Sequence, residues 1–276
     1  MKRLRRLFLT PAAAIAAALL IAPLAIIGVY SVLTRGAYGG VELPWTAESY
    51  RLLFDPLYAR ILGRSFWIAA VSTVLCLAAG FPLALFIAQS GARKNLYLSL
   101  VMLPFWTSFL VRTYAWMFLL RDTGLIDTAL QSLGLIHHPL PLLYNDGAVI
   151  LGLVYGYLPF MILPIYAALE RLDPSLSEAA ADLGAGPYRT VASVTIPLAA
   201  PGIWAGVVLV FIPALGTYLT SDLLGGGKTV LIGNFVQNQF TTARDWPFGA
   251  AASILLMAIV MSLLFVWRRR GANALL

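Results

Sequence analysis

The sequence predicts an all-α membrane protein that crosses the bilayer about six times. Two observations carry this prediction. First, 60% of the residues are hydrophobic and 11% are charged, with a mean hydropathy of +0.84, whereas soluble domains are about 45–50% apolar and about 25% charged. Second, the apolar residues fall into six long stretches separated by polar segments. So few charges cannot cover a water-facing globule, and lipid is the expected main solvent.

Each apolar stretch is long enough to cross a hydrocarbon core of about 30 Å as a helix, which takes ~20 residues. Prolines inside the stretches are compatible with a helix bundle, because neighbouring groups satisfy the freed carbonyls. Two glycine pairs spaced four residues apart, Gly152/Gly156 and Gly202/Gly206, allow helices to approach closely. The six predicted spans cover residues 7–33, 65–88, 97–120, 148–169, 201–223 and 248–267.

The first span is expected to be a retained anchor. The basic segment KRLRR at residues 2–6 precedes it, as in a signal peptide, but the apolar run that follows is longer than the ~7–15 residues of a signal-peptide core. We therefore expect residues 1–60 to hold an N-terminal transmembrane helix and a periplasmic amphipathic segment. Residues 61–276 are expected to form a five-helix core with a long polar loop at 170–200.

The amphipathic segment lies at residues 46–60. Tyr50, Leu53, Phe54 and Leu57 share the i, i+3, i+4, i+7 spacing of one helical face. This spacing predicts either an interfacial helix or an ordinary helix packed at the outer mouth.

Orientation follows from the distribution of lysine and arginine, which are enriched in cytoplasmic loops. With six spans, eleven of the 19 basic residues lie on the side of the two termini, seven lie on the other side, and Arg112 lies within a span. The bias predicts that both termini are cytoplasmic. It also accounts for the net charge of +7 without nucleic-acid binding.

Other sites are not indicated. Cys76 is the single cysteine and lies in an apolar stretch, so we expect a small core residue. The adjacent His137 and His138 lack further ligands at metal-binding spacing, and no metal site is predicted. The segment Gly227-Lys228-Thr229 ends like a phosphate-binding loop, but the required earlier glycine is replaced by Asp222. No ATP site is expected in this chain.

The polar loop after the fourth span predicts a short helix with both ends specified. Asp173 is a good N-cap, Pro174 suits the first helical position, and Gly184 suits a left-handed residue after the helix. Its Ala179-Ala180-Ala181 centre has almost no side-chain bulk. Such a helix either lies on the membrane surface or fits closely into a groove of another protein.

The same loop resembles the EAA loop of ABC importer permeases. Its E-A-A at 178–180, the glycine at 184 and the segment TIPL at 195–198 match in order and placement, although the proline of this ending is moved forward. In that family the loop helix docks on an ATPase subunit. The resemblance implies this coupling role for Glu178, Ala179, Ala180, Asp182, Leu183 and Gly184.

The resemblance to spermidine/putrescine-type permeases extends along the chain. It includes LPFWTS with LVRTYAW in the third span, FIPALG with LLGG and LIGN near the fifth, and DWPFGAA before the sixth. It implies the type I ABC importer permease (MetI-like) fold in a bacterial inner membrane. It also implies a second permease subunit, two ATP-binding cassette subunits that hold ATP and magnesium, and a periplasmic substrate-binding protein. No cofactor is expected on this chain.

Ionisable and aromatic side chains in or beside the spans are candidates for a translocation path, because such residues usually face a bundle interior or a wet cavity. The alternative for Arg112 and Asp222 is a structural ion pair, with each other or with the partner permease. Aromatic faces can hold an organic cation, but they also anchor cores and interfaces. The candidates are Trp106, Phe109, Arg112, Tyr114, Tyr218 and Asp222.

The function predicted by the resemblance is a permease subunit of an ATP-driven importer, with polyamines as the expected substrate. A polyamine should prefer acids and aromatic rings, yet the spans contain one cation and no deep acid. Either the partner subunit supplies the acids, or Arg112 is neutralised, or the substrate carries an anionic group. Because the resemblance extends to opine and aminophosphonate importers, an opine, an aminophosphonate or another small organic solute is the alternative. A carrier driven by an ion gradient is the second alternative, although the repeated halves typical of that class are not evident. A membrane-embedded enzyme would need a catalytic constellation that the sequence lacks.

Overall fold

Helices form most of the chain in the structure, a computed structural model. It describes residues 2–273, with side chains described for residues 10, 11 and 14–265. The first part of the chain contains α1 (Lys2–Tyr30), β1 (Leu33–Arg35), β2 (Val41–Trp45), α2 (Glu48–Leu52), α3 (Pro56–Ala88), α4 (Lys94–Met102), α5 (Phe109–Leu120) and α6 (Leu125–Ser132). The second part contains α7 (Asp146–Leu169), α8 (Pro174–Asp182), α9 (Pro187–Thr190), α10 (Ile196–Gly216), α11 (Leu219–Gly225), α12 (Ile232–Thr241) and α13 (Trp246–Asn273).

Within the described residues, four helices are long and apolar enough to cross a membrane, namely Pro56–Ala88, Asp146–Leu169, Pro187–Gly216 and Trp246–Phe265. They correspond to the second, fourth, fifth and sixth predicted spans. A fifth crossing is a bent pair of helices in the region of the third. The first predicted span lies mostly in α1, where the apolar stretch Ala14–Tyr30 has described side chains. The basic side chains at residues 2–6 and 268–270 lie outside the described ones.

Packing divides the chain into two compact units, Met1–Arg60 with Phe235–Leu276, and Ile61–Asn234. In the first unit, α1 packs on α13, and the strands β1 and β2 pair as an antiparallel hairpin. Arg35 of the hairpin donates to the carbonyl of Ala243 at 2.7 Å. The rings of Tyr58, Phe235 and Phe248 pack together with centroids 4.9–5.6 Å apart.

The single amphipathic helix predicted for residues 46–60 is not formed. The short helix α2 ends at Leu52 and α3 begins at Pro56. Leu53 is buried whereas Phe54 and Leu57 are exposed, so these side chains do not form one common face. The reason is Pro56, which disfavours helical geometry at the residue before it and begins a new helix as its first residue.

In the second unit, α7 packs along α10 at unusually close range. A Cβ added to Gly202 would lie 2.5 Å from the Cβ of Ala168 and from the carbonyl oxygen of Pro164. One added to Gly206 would lie 2.7 Å from the Met161 sulfur. The predicted role of this glycine pair in helix packing is confirmed. A core of α3, α7 and α10 side chains surrounds this contact, including Cys76, which is fully buried.

The third predicted span is not one straight helix. The helical segments Gly91–Trp106 and Phe109–Ser132 meet at an angle of 86°. Thr107 and Ser108, between them, are both extended, with ψ of 150° and 141°. Pro104 lacks an N–H for the preceding turn, and the chain tightens there into a 3-10 helix before it breaks. The prediction of a continuous span over residues 97–120 is therefore wrong.

The fifth predicted span is also displaced. The crossing helix covers Pro187–Gly216 rather than residues 201–223, and the chain breaks at Thr217 before α11. A π-helical turn at Val191–Thr195 lies inside it. Pro197 explains the turn, because its ring opposes the carbonyl four residues earlier and a wider turn relieves the clash. The TIPL segment is thus helical, and the polar loop is shorter than the predicted 170–200.

Candidate functional site

The polar loop between α7 and α9 carries α8, whose first turn is capped as predicted. The Asp173 side chain accepts a hydrogen bond from the backbone N–H of Ser175 at 2.9 Å, and Pro174 is the first helical residue. This bond from Ser175 holds the pKa of the Asp173 carboxyl below its ordinary value, because it stabilises the charged form. The beginning of α8 is therefore fixed by side-chain chemistry in the loop itself.

The end of α8 is a Schellman motif. The N–H of Gly184 donates to the carbonyl of Ala181 at 2.9 Å, and the N–H of Ala185 donates to that of Ala180 at 3.0 Å. Gly184 has φ of +80°, the left-handed conformation that glycine adopts without steric cost. The predicted end of the helix is confirmed, and one of the two carbonyls that close it, that of Ala180, belongs to the E-A-A segment.

The surface of α8 is largely uncovered within the chain, since none of its residues is buried and Ala180 alone is partly covered. The residues that follow it expose large apolar side chains, with Leu183 at 89% and Tyr188 at 92% exposure. Glu178 and Asp182 lie one turn apart on the helix. Small alanines, two acids and exposed apolar side chains together form a surface that suits close docking of another protein.

The connection from α7 into this loop is attached to α4. The Lys94 ammonium pairs with the carboxylate of Glu170, the residue that follows α7. The hydrogen bond from Lys94, and then one from Tyr166, hold the pKa of the Glu170 carboxyl below its ordinary value. Sequence reasoning missed this pair, because its members are 76 positions apart and no spacing rule relates them.

Arg112 lies at the bend between α4 and α5. Its guanidinium donates to the carbonyl of Pro104 at 2.9 Å, across the break. It also lies 4.6 Å from the ring centroid of Phe105 and 5.9 Å from that of Phe109. One further donor, Nε, is buried without a hydrogen-bond partner. Arg112 therefore ties together the two helical segments that meet at 86°.

The aromatic candidates of this region occupy different environments. Trp106, at the bend, is 82% exposed. The Phe109 ring is 3.3 Å from the position that a Cβ on Gly156 would take, so it packs against α7. Tyr114 is exposed on α5. Of these three, Phe109 alone is close to both Arg112 and α7.

Asp222 and Tyr218 lie one turn apart at α11, and both are exposed. The side-chain amide of Asn234 donates to Asp222 at 3.0 Å. An ion pair between Arg112 and Asp222 is not formed, because each group has a different polar partner. That structural alternative is therefore wrong for these two residues.

A polar network that sequence reasoning did not find holds the segment Gly227-Lys228-Thr229. The Asp146 carboxylate accepts from Arg64 and from the buried hydroxyl of Thr229, both at 2.6 Å. Arg64 also donates to the carbonyl of Lys228 at 3.0 Å. These contacts give the segment a structural role. A usable signal was the Asn145-Asp146 pair before the fourth span, where Asn145 is the N-cap of α7.

Comparison with known proteins places the chain in a family. The family model for the inner membrane component of binding-protein-dependent transport systems matches residues 80–270. The chain belongs to this family. The match extends from the last third of α3 into α13 and includes the whole of α8 and its loop.

Relatives of this inner membrane component have been named as permeases. The spermidine/putrescine transport system permease protein PotB of Haemophilus influenzae is 43% identical over 247 residues, covering 89% of this chain and 86% of that protein. The protein of the same name from Escherichia coli K12 is 44% identical over 240 residues, covering 86% and 87%. The E. coli inner membrane ABC transporter permease protein YdcU is 38% identical over 244 residues, covering 83% and 78%.

Solved structures share the fold of this family member. A chain of a bacterial ABC transporter involved in import of the acidic polysaccharide alginate matches with a TM-score of 0.73 at 18% identity, covering 97% of this chain and 96% of that one. A chain of the MetNI methionine ABC transporter matches with a TM-score of 0.57, covering 80% and 98%. The predicted ABC importer permease fold is confirmed by these matches.

Membership of an inner membrane family accounts for the apolar side chains that the spans expose. Trp67, Phe86, Val111 and Phe118 are all more than half exposed. In water such a surface would favour aggregation, whereas lipid or another membrane subunit covers it. The chain is a multi-pass inner membrane protein.

Proposed function

We propose that this chain is a permease subunit of an ATP-driven importer that takes up polyamines. The observation that carries the proposal is the identity of 43–44% to two spermidine/putrescine permeases along 86–89% of the chain. The alginate and methionine transporters share the fold at 18% identity. This likeness supports the type of transporter and gives no information about the substrate.

Energy enters through α8 in this proposal. The exposed helix, with both ends fixed by its own hydrogen bonds, docks on an ATPase subunit through Glu178, Ala179, Ala180, Asp182, Leu183 and Gly184. A helix whose ends are fixed in this way transmits displacement, because it cannot fray or re-form when it is pushed. ATP and magnesium bind to the partner subunits. ATP binding there biases the permease between two states for which it has different contacts.

The translocation path in this proposal runs past Tyr218 and Asp222. A carboxylate beside an aromatic ring suits an ammonium group, through charge attraction and a cation–π contact. Trp106 and Tyr114 are exposed and supply further aromatic surface. Arg112 and Phe109 serve instead to hold the bend, since the guanidinium is already engaged by a carbonyl and two rings. This assignment removes the conflict between a cationic substrate and a cation within the spans.

The proposed assembly contains this chain, a second permease subunit, two ATP-binding cassette subunits and a periplasmic substrate-binding protein. Both termini are proposed to be cytoplasmic, as the distribution of lysine and arginine indicates. The pair of Lys94 with Glu170 supports a common side for the loops before α4 and after α7. The pair of Arg64 with Asp146 supports a common, opposite side for the beginnings of α3 and α7.

The test is uptake by proteoliposomes that contain the full complex and its binding protein. Labelled spermidine and putrescine should accumulate only when ATP is inside, and unlabelled spermidine should compete. Glu178→Lys should abolish uptake while the complex still assembles. An unchanged rate in that variant would refute the coupling assignment. Accumulation of an opine or aminophosphonate but of neither polyamine would refute the substrate.

A further inference from the structure

The residues that connect α7 to α8 are held against α4 on two sides. On the polar side, Glu170 pairs with Lys94 of α4. On the apolar side, Leu172 packs on the same core cluster as Tyr97 and Leu98 of α4. Asp173, the cap of α8, follows immediately.

We propose that the Lys94–Glu170 pair is the joint through which α8 moves the bent span formed by α4 and α5. This inference rests on the proposed function, in which α8 receives displacement from an ATPase. Lys94 and Glu170 act as positioning residues, since neither lies in the ATPase-facing helix nor among the candidate path residues. The chemistry required is one opposite-charge contact that fixes the connector to α4 in both transport states.

Beyond α4, the chain continues into the bend of the span and from there to a contact with α7. The helical segment that contains α4 ends at the bend before Phe109, and Arg112 ties the two sides of that bend through the Pro104 carbonyl. The two arms of the bent span therefore turn together. Phe109, at the beginning of the second arm, lies against Gly156 in the middle of α7. Movement of α4 thus reaches the centre of the membrane-spanning region.

An exposed pair of this kind contributes little to folding stability, because water screens both charges. Lys94 and Glu170 have side chains that are 38% and 41% exposed. A large effect of their substitution on transport, with normal assembly, therefore points to transmission between elements and not to a lost fold. This difference makes the role of the pair testable by exchange of charges.

The experiment measures how strongly the binding protein stimulates ATP hydrolysis by the full complex in proteoliposomes. Lys94→Glu and Glu170→Lys should each lower this stimulation by about fivefold or more, the scale of typical coupling between sites. The double variant, Lys94→Glu with Glu170→Lys, should return to within about twofold of wild type, because the pair re-forms with reversed charges. Arg93→Glu is the matched control: Arg93 is exposed beside Lys94, and its substitution should leave the stimulation unchanged.

Wild-type stimulation in both single variants would overturn the proposal, and so would a double variant as impaired as the singles. If a charge reversal prevents assembly, Glu170→Gln takes its place, because it keeps the side-chain shape and removes the charge. It should lower the stimulation at least about twofold, and an unchanged value would overturn the proposal. This assay measures ATP hydrolysis and not the uptake of a labelled substrate, so it tests the joint separately from the substrate assignment. Absence of spermidine uptake by wild type would therefore refute the polyamine assignment alone.

Discussion

At the scale of single residues, the backbone conformation of Gly184, and not steric crowding, restricts which residue can stand there. Nothing lies within 4 Å of the position that a Cβ would take there, but φ is +80°. Gly186 is equally uncrowded, yet its φ of −68° suits any residue. The two glycines therefore differ in backbone geometry and not in crowding, and they form a pair for comparison by substitution.

Gly184→Val should uncouple transport, because a β-branched residue is strongly disfavoured in the left-handed region and the end of α8 would rearrange. Gly184→Asn should retain most of the activity, since asparagine tolerates this conformation. Gly186→Ala should behave as wild type. Uptake and ATP hydrolysis measured together on the assembled complex check the series. Full coupling in Gly184→Val would show that the helix end is unimportant.

Arg112 is expected to stabilise the bend rather than select the substrate. Arg112→Met keeps the side chain's length but loses the bond to the Pro104 carbonyl and the stacking on Phe105. It should lower the melting temperature of the purified complex by about 3–6 °C, because a charge-assisted bond contributes ~1.5–3 kcal/mol. The relative uptake of spermidine and putrescine should stay constant. An altered preference with an unchanged melting temperature would instead make Arg112 a path residue.

At the scale of elements, the predictions succeeded where local chemistry decides the boundary. The limits of α8 follow from Asp173 and Gly184, and the fourth span was placed within two residues of its observed start at Asp146. Hydropathy averages, in contrast, carry no information on direction, so the bend before Phe109 was missed although Pro104 was visible. The fifth span begins earlier than hydropathy predicts, because its first turns, from Pro187 onward, have a polar sequence.

The network around Asp146 is an element-scale feature that joins α3, α7 and the segment before α12. Thr229→Val removes the buried hydroxyl that donates to Asp146 while it keeps the side-chain shape. It should destabilise this segment by about 1–3 kcal/mol, because it leaves a polar partner incompletely satisfied. Amide exchange of residues 226–231 should then speed up. Thr241→Val, at an exposed hydroxyl, is the control, and equal exchange in both variants would contradict the role of the network.

At the scale of the whole molecule, the chain is an inner membrane component of a binding-protein-dependent transport system, and our proposal assigns its energy supply to partner subunits. The segment Gly227-Lys228-Thr229 ends like a phosphate-binding loop in sequence, but its polar groups have other partners. The Lys228 carbonyl and the Thr229 hydroxyl both form hydrogen bonds within the chain. A phosphate-binding loop would instead present its backbone N–H groups to the ligand. The arrangement at this segment is that of a structural turn.

The purified chain without partner subunits should therefore hydrolyse no ATP above the background of a mock preparation. Hydrolysis should appear only when the ATP-binding cassette subunits are added, and Glu178→Lys should reduce its stimulation by the binding protein. Phosphate release measured on the isolated chain in detergent and in lipid checks this expectation. Turnover that disappears in Lys228→Ala would contradict it directly.

The contact of Gly202 and Gly206 with α7 has a mechanical consequence. The loop that carries α8 leaves the end of α7 and returns into the helix that contains α10, and these two helices touch almost backbone to backbone. Both ends of the loop are therefore fixed to one rigid body. In the proposed importer, a load applied to α8 would therefore move its two supports together, as a single lever. In the proposed importer, the stiffness of this lever acts together with the Lys94–Glu170 joint to set how much of an ATPase stroke reaches the membrane interior.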